Sequence, residues 1–195
     1  MSTEAVSTNA VSTSAVPTEA GSPNESTARS IALVGLSGTG KSTIAPLLAS
    51  RLGFGASVDL DRVIEGQFGR SVESIFEEDG EGAFRDAESD ALAQALAGPP
   101  VVIATGGGVV LDRENRSLLK SDATVVWLRA SPALLASRLS DTTEARPLLA
   151  GDPQFALVRL AAEREALYNE VADHIVDVEG LDVAEVVAEV LQGLR

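Results

Sequence analysis

Residues 30–43, SIALVGLSGTGKST, restrict the possible fold more than any other stretch of this chain. A short, wholly apolar, β-branched run ends at Gly35, and a glycine-rich turn leads from it into Lys41 and Ser42. A run this apolar reads as a strand buried on both faces, as in a parallel sheet covered by helices. Gly35, Gly40, Lys41 and Ser42 satisfy G-x-x-x-x-G-K-[ST], a phosphate-binding loop, or P-loop. Each residue type has a physical reason. Glycines let successive backbone N–H groups turn inward around phosphate oxygens, and the helix N-terminus that follows adds partial positive charge. Lys41 reaches the outer phosphates, while the Ser42 hydroxyl ligates Mg²⁺. Gly38, Thr39, Gly40, Lys41, Ser42 and Thr43 are therefore the candidate nucleotide contacts.

Around this motif the chain alternates strand and helix signals. A helix is expected over Lys41–Leu52, a second strand over 56–60 and helical pieces through Phe68 and over Ser71–Glu78. Gly80 separates these from a longer helix, Glu81–Ala97. VVIAT (101–105) is a third strand, followed by a helix over Asp112–Lys120. ATVVWLR (123–129) is a fourth strand, and Ser131 caps a helix that has Pro132 in its first turn. Asp152–Pro153 opens a long helix to Val171, HIVDV (174–178) is a fifth strand, and Asp182–Leu194 is a closing helix. This alternation predicts a three-layer αβα domain around a five-stranded parallel sheet, over residues 30–195. Residues 1–29 differ sharply. They contain no Leu, Ile or aromatic residue, and near-repeats such as EAVST and NAVST read as a disordered low-complexity tail. The tail has no apolar segment for secretion, and its acidic balance fits a mitochondrial presequence poorly.

Composition excludes several classes of function. No apolar run approaches the roughly 18–20 residues needed to span a bilayer. The chain has no cysteine and one histidine, so disulfides, thiolate metal sites, cysteine catalysis and multi-histidine metal sites are ruled out. That histidine, His174, lies in a strand-like run where a structural role is expected. A formal net charge of −14 argues against nucleic acid as a partner, because such binding needs clustered Lys and Arg. An acidic protein can still focus a few cations into one cleft, so the scarce basic residues carry information.

P-loop proteins have several trades. DGEG at Asp79 fits the D-x-x-G of GTPases, but the chain has no N-K-x-D guanine reader, and DGEG lies between two helices. The chain is also too short for a motor or AAA-type module with a helical lid domain. A small kinase remains, with nucleotide on the P-loop, acceptor in the opposite cleft and a mobile lid to exclude water.

GLSGTGKST, DLDRVIE, IFEEDGEGAFRDAE, TGGGVV, ARPLL and REALYNEVA occur in this order, and the chain resembles the shikimate kinases over residues 30–178. The resemblance implies a P-loop NTPase fold with a mobile lid over 140–153. It also implies an ATP- and Mg²⁺-dependent transfer to the 3-hydroxyl of shikimate. In the D-x-D pattern of that family, Asp61 bonds the acceptor hydroxyl and acts in catalysis, and Asp59 helps hold Mg²⁺. Arg85 and Arg164 would bind the acceptor carboxylate, which planar guanidinium forks suit. Glu88 would fix Arg85. Gly106, Gly107 and Gly108 would lie against the acceptor ring, with Phe76 and Phe84 on the same side. Arg146, in the lid, would close over ATP and balance charge on the transferring phosphoryl group as a catalytic residue. Arg138 would lie near the adenine. The protein so described is a cytoplasmic monomer whose partner is a small molecule, with no nucleic acid and no membrane. Two alternatives stand beside it: a kinase for another polyol acid such as gluconate, and a non-catalytic nucleotide-binding homologue.

Overall fold

The computed structural model describes Met1, residues 29–140 and residues 153–195. The expected tail, and nearly all of the expected lid with Arg146, therefore lie outside the described residues. The elements run β1 (Ser30–Val34), α1 (Lys41–Leu52), β2 (Ser57–Asp59), α2 (Leu60–Phe68), α3 (Val72–Glu78), α4 (Gly80–Ala97), β3 (Val102–Ala104), α5 (Arg113–Asp122), β4 (Ala123–Arg129), α6 (Pro132–Ser140), α7 (Pro153–Val171), β5 (His174–Asp177) and α8 (Val183–Gly193). The five strands pair in the order β2-β3-β1-β4-β5, and every pairing is parallel.

The period of two along β1 builds both core layers. Ala32 and Val34 enter one layer with Leu60, Ile64, Leu92, Leu157 and Tyr168. Ile31 and Leu33 enter the other with Ile44, Leu48, Val186 and Val190. The first layer thus packs α2, α4 and α7 on one face of the sheet, and the second packs α1 and α8 on the opposite face. Each fully buried Leu or Ile contributes on the order of 1.5–3 kcal/mol, and both faces of the sheet carry several. The result is the αβα sandwich expected of a P-loop domain.

Helix starts follow the capping residues in the sequence. The Ser131 Oγ accepts from Leu134 N at 3.3 Å, Asp112 accepts from Glu114 N and Asn115 N, and Asp182 with Glu185 closes a capping box on α8. A cap also corrects one expectation. The second strand, expected over 56–60, does not reach Leu60. β2 stops at Asp59, whose Oδ1 accepts from Arg62 N at 3.3 Å and starts α2, so Asp61 sits in the first turn of that helix. β3 likewise ends at Ala104, leaving Thr105 between the strand and the glycines. His174 is half-buried on β5, with its ring against Gly193, as a structural histidine would be.

Strand order decides where a site can form. β3 and β1 are neighbours, β2 flanks β3, and the chain crosses to the other side of β1 only at β4. The turns leaving β1, β2 and β3 therefore gather at one edge, outside the carboxyl ends of adjacent strands, where open parallel sheets bind ligands.

Candidate active site

The loop between β1 and α1 has the conformation its glycines permit. Gly35, Gly38 and Gly40 have φ of 138°, 89° and 95°. At Gly35 a Cβ would also stand 2.4 Å from the Leu128 carbonyl oxygen of β4, so no other residue fits there. Thr39 is buried and its Oγ1 donates to Leu36 O at 2.9 Å, which tightens the turn. Lys41 is buried too. Its Nζ donates to Gly35 O at 2.7 Å and Leu36 O at 2.9 Å, which holds the ammonium over the loop. Ser42 and Thr43 lie exposed in the first turn of α1. From α6, Arg138 Nη1 donates to Gly38 O at 3.3 Å, so this guanidinium lies on the phosphate loop itself. Positive φ, an aimed helix N-terminus and a cation together make a cradle for phosphates.

The acceptor-side residues meet at the glycine run after β3. At Gly106 a Cβ would stand 2.1 Å from Glu88 Oε1 and 3.1 Å from Asp61 Oδ1. At Gly108 it would stand 2.3 Å from Arg85 Nη1. At Gly107 it would meet Ser37 N at 3.5 Å and Gly35 O at 3.6 Å, so the two glycine loops touch. Side-chain atoms pack against this backbone where only hydrogen leaves them room. Arg164, on α7, donates from Nη1 to Gly107 O at 2.9 Å. Asp61, Arg85, Glu88, Arg164 and the three glycines thus form one contiguous set, and Gly35 joins it to Lys41.

Arg85 is held by more partners than its motif suggests. Its Nη1 donates to Glu88 Oε2 at 2.6 Å, its Nη2 to Glu81 Oε1 at 2.9 Å, and its guanidinium lies over the rings of Phe84 and Phe76. The two rings are in mutual contact, with centroids 4.8 Å apart. Burial pushes the Glu88 carboxyl above the usual carboxylate range, and Asp61 beside it adds repulsion that Arg85 and Arg164 oppose. Two buried atoms in this set, Glu88 Oε1 and Arg164 Nε, have no hydrogen-bond partner among the described residues. An acceptor and a donor so placed suit a ligand that carries both hydroxyl and carboxylate groups. Among the described residues no group of three or more His, Cys, Asp or Glu side chains gathers as for a metal ion. The oxygens of Ser42 and Asp59 are donors of the kind a hard cation shares with phosphates and water.

Three residues here have signals that the sequence reading passed over. Tyr168 OH donates to the same Gly107 O at 2.5 Å; it lies four residues after Arg164, on the same face of α7. Glu81 stands in the same i,i+4 relation to Arg85. Thr105 Oγ1 donates to Leu33 O at 2.9 Å and ties the start of the glycine run to β1. A cavity of about 250 Å³ opens behind the P-loop, lined by Leu36, Thr39, Trp127, Arg129, Glu165 and Tyr168 among others. Asp61, Arg85 and Lys41 are not among its walls, so it is distinct from the set above.

The chain has clear relatives. The sequence model of one family, described as shikimate kinase, matches residues 37–195. The shikimate kinase of Symbiobacterium thermophilum is 43% identical over 167 residues, covering 85% of this chain and 95% of that protein. That of Gloeobacter violaceus is 48% identical over 156 residues, 80% of this chain and 86% of that protein. Among solved structures, a shikimate kinase from Acinetobacter baumannii in complex with shikimate superposes with a TM-score of 0.82 at 33% identity, covering 88% of this chain and 94% of that one. A shikimate kinase from Aquifex aeolicus superposes at 0.73 with 35% identity, over 84% of this chain and 95% of that one.

Proposed function

The chain belongs to the shikimate kinase family, and on that premise we propose that it transfers the γ-phosphoryl group of ATP to the 3-hydroxyl of shikimate. One observation carries this reading: the glycine run that holds Asp61, Glu88, Arg85 and Arg164 together also touches the phosphate loop at Gly35. Donor and acceptor subsites are therefore adjacent.

Arg85 and Arg164 bind the substrate carboxylate, with Gly106, Gly107 and Gly108 against the ring. Asp61 takes the 3-hydroxyl. As the hydroxyl oxygen forms its bond to the γ-phosphorus, the bond from that phosphorus to the bridging oxygen breaks and ADP departs. Asp61 accepts the hydroxyl proton as this happens. The amides of Gly38, Thr39, Gly40, Ser42 and Thr43 and the Lys41 ammonium hold the phosphates and stabilise charge on the leaving oxygens. Ser42 and Asp59 would hold Mg²⁺, which supplies charge neutralisation on the phosphates when bound. Arg138 lies on the nucleotide side, and Arg146 completes the catalytic set from the lid. The proposed enzyme is a cytoplasmic monomer. Separately, no helix among the described residues is long and apolar enough to cross a membrane.

A coupled assay for ADP, with Mg-ATP and either shikimate or gluconate, tests the reading. Turnover is expected with shikimate alone. Turnover of gluconate in its place would overturn the substrate assignment, and turnover of neither would overturn the kinase assignment. Asp61→Asn is expected to fold, to leave the ATP KM within about threefold and to lower kcat by about 10²–10⁴-fold. An Asp61→Asn enzyme with parental kcat would remove that carboxylate from the chemistry.

A further inference from the structure

We propose that Tyr168 is a positioning residue for the acceptor, acting through the backbone of the glycine run. The inference rests on the function proposed above. Its starting point is the Gly107 carbonyl, which receives two donors from one helix: Arg164 Nη1 at 2.9 Å and Tyr168 OH at 2.5 Å. Both side chains are buried, Arg164 at 4% exposure and Tyr168 at 1%. Two donors on one carbonyl fix a peptide plane more firmly than one, and this peptide joins two glycines that impose little torsional preference of their own. Because the peptide is planar and trans, fixing the Gly107 carbonyl toward α7 turns the Gly108 N–H away from α7. The same plane decides where Gly106 and Gly108 stand against Glu88, Asp61 and Arg85.

The division of labour between the two donors follows from their charge. Arg164 must also serve the acceptor carboxylate, and a guanidinium drawn toward a ligand is an unreliable peg for a carbonyl. Tyr168 has no ligand group of its own to serve, although its oxygen also interacts with Arg164. Its ring stacks on Trp127 with centroids 5.5 Å apart, so the hydroxyl sits at the end of a rigid aromatic lever. Burial also pushes its phenol well above the ordinary value, which keeps the proton in place for donation throughout the working pH range. Tyr168 thus holds the loop while Arg164 holds the substrate.

The chain contains a single tyrosine and a single tryptophan, which makes the test clean. Tyr168→Phe keeps the stacked ring and removes only the donor. Its KM for shikimate is expected to rise about three- to tenfold, with the ATP KM within about twofold and with Trp127 emission unchanged. Trp127→Phe keeps an aromatic face under the ring and leaves the hydroxyl, and its shikimate KM is expected to stay within about twofold. A Tyr168→Phe enzyme with parental shikimate KM, or a Trp127→Phe enzyme with an equal rise, would overturn the proposal. A parent that ignores shikimate would instead overturn the function it rests on. Should Tyr168→Phe not fold, global replacement of tyrosine by 3-fluorotyrosine labels position 168 alone. Its ¹⁹F resonance is expected to shift on saturation with shikimate and not with ADP; a resonance that shikimate does not move would sink the proposal.

Discussion

Glu88 keeps a carboxylate where the fold leaves it no water, at 0% exposure, with one oxygen on Arg85 and the other packed against Gly106. Burial raises its folded-state pKa above the unfolded one, so the folded chain holds this proton more tightly. Stability then falls as pH climbs from the unfolded value to the folded one, and the cost is complete above the folded value. Glu88→Gln cannot titrate but still offers an oxygen to Arg85. Its melting temperature relative to the parent is expected to rise between about pH 4 and neutrality, in paired thermal melts over that range. A difference that stays flat would show that Glu88 does not titrate differently on folding. Much of this was legible at the scale of single residues. The three-residue spacing of Arg85 and Glu88 pairs them on one face of a helix, and FRDAE displays that spacing. Full burial, and the proximity of Asp61 to Glu88, are tertiary facts: the start of α2 and α4 meet at the glycine run only because of the strand order.

The loop from β1 into α1 is set by a backbone position that admits one solution. Gly35 combines a φ of 138° with a Leu128 carbonyl 2.4 Å from where a methyl group would stand. Gly35→Ala is expected to cost about 2–5 kcal/mol, from left-handed strain plus steric overlap with β4. Gly66 is the opposite case. It is exposed within α2 and a Cβ there would meet nothing within 4 Å, so Gly66→Ala is expected to add about 0.5–1 kcal/mol. Urea titrations of both variants check the pair, and equal effects at the two positions would refute the steric account. Periodicity and caps in the sequence fix most elements to within a residue or two. β2 ran shorter than its apolar pattern because Asp59 gives its carboxylate to a helix cap, and a cap competes with a strand for the same residue. The role of Tyr168 is hidden in the sequence for a related reason. An aromatic residue in a long helix reads as core, which it is; its hydroxyl gains a task only when β3 brings the Gly107 carbonyl beside it.

Across the whole molecule, a formal charge of −14 coexists with four cations, Lys41, Arg85, Arg138 and Arg164, set around the two glycine loops, and an acidic chain can focus positive potential locally in this way. The α/β alternation announced the fold because β1, β3 and β4 carry the near-continuous apolar runs of central parallel strands, with helices between them. It could not announce which loops would touch, since that depends on the β2-β3-β1 adjacency. The same architecture ties down the segment that leads into β1. Arg29 Nη2 donates to the carbonyls of Lys120 at 3.0 Å and Ser121 at 2.6 Å, clasping the chain to the end of α5. Ser30 then opens β1, and its Oγ accepts from Val101 N at 3.2 Å. A protein of residues 29–195 keeps every one of these contacts and all elements of the site. It is expected to retain kcat and both KM values within about twofold, with a melting temperature within about 2 °C of the parent. A protein of residues 31–195 loses the clasp and the Ser30 bond together. At roughly 1 kcal/mol for each hydrogen bond lost, it is expected to melt lower by about 4–12 °C while its folded fraction keeps the same KM values. Should the longer protein lose shikimate turnover, residues 1–28 would have a part in the reaction that the 29–195 unit cannot supply. Should the two truncations melt together, Arg29 and Ser30 would not anchor the central strand.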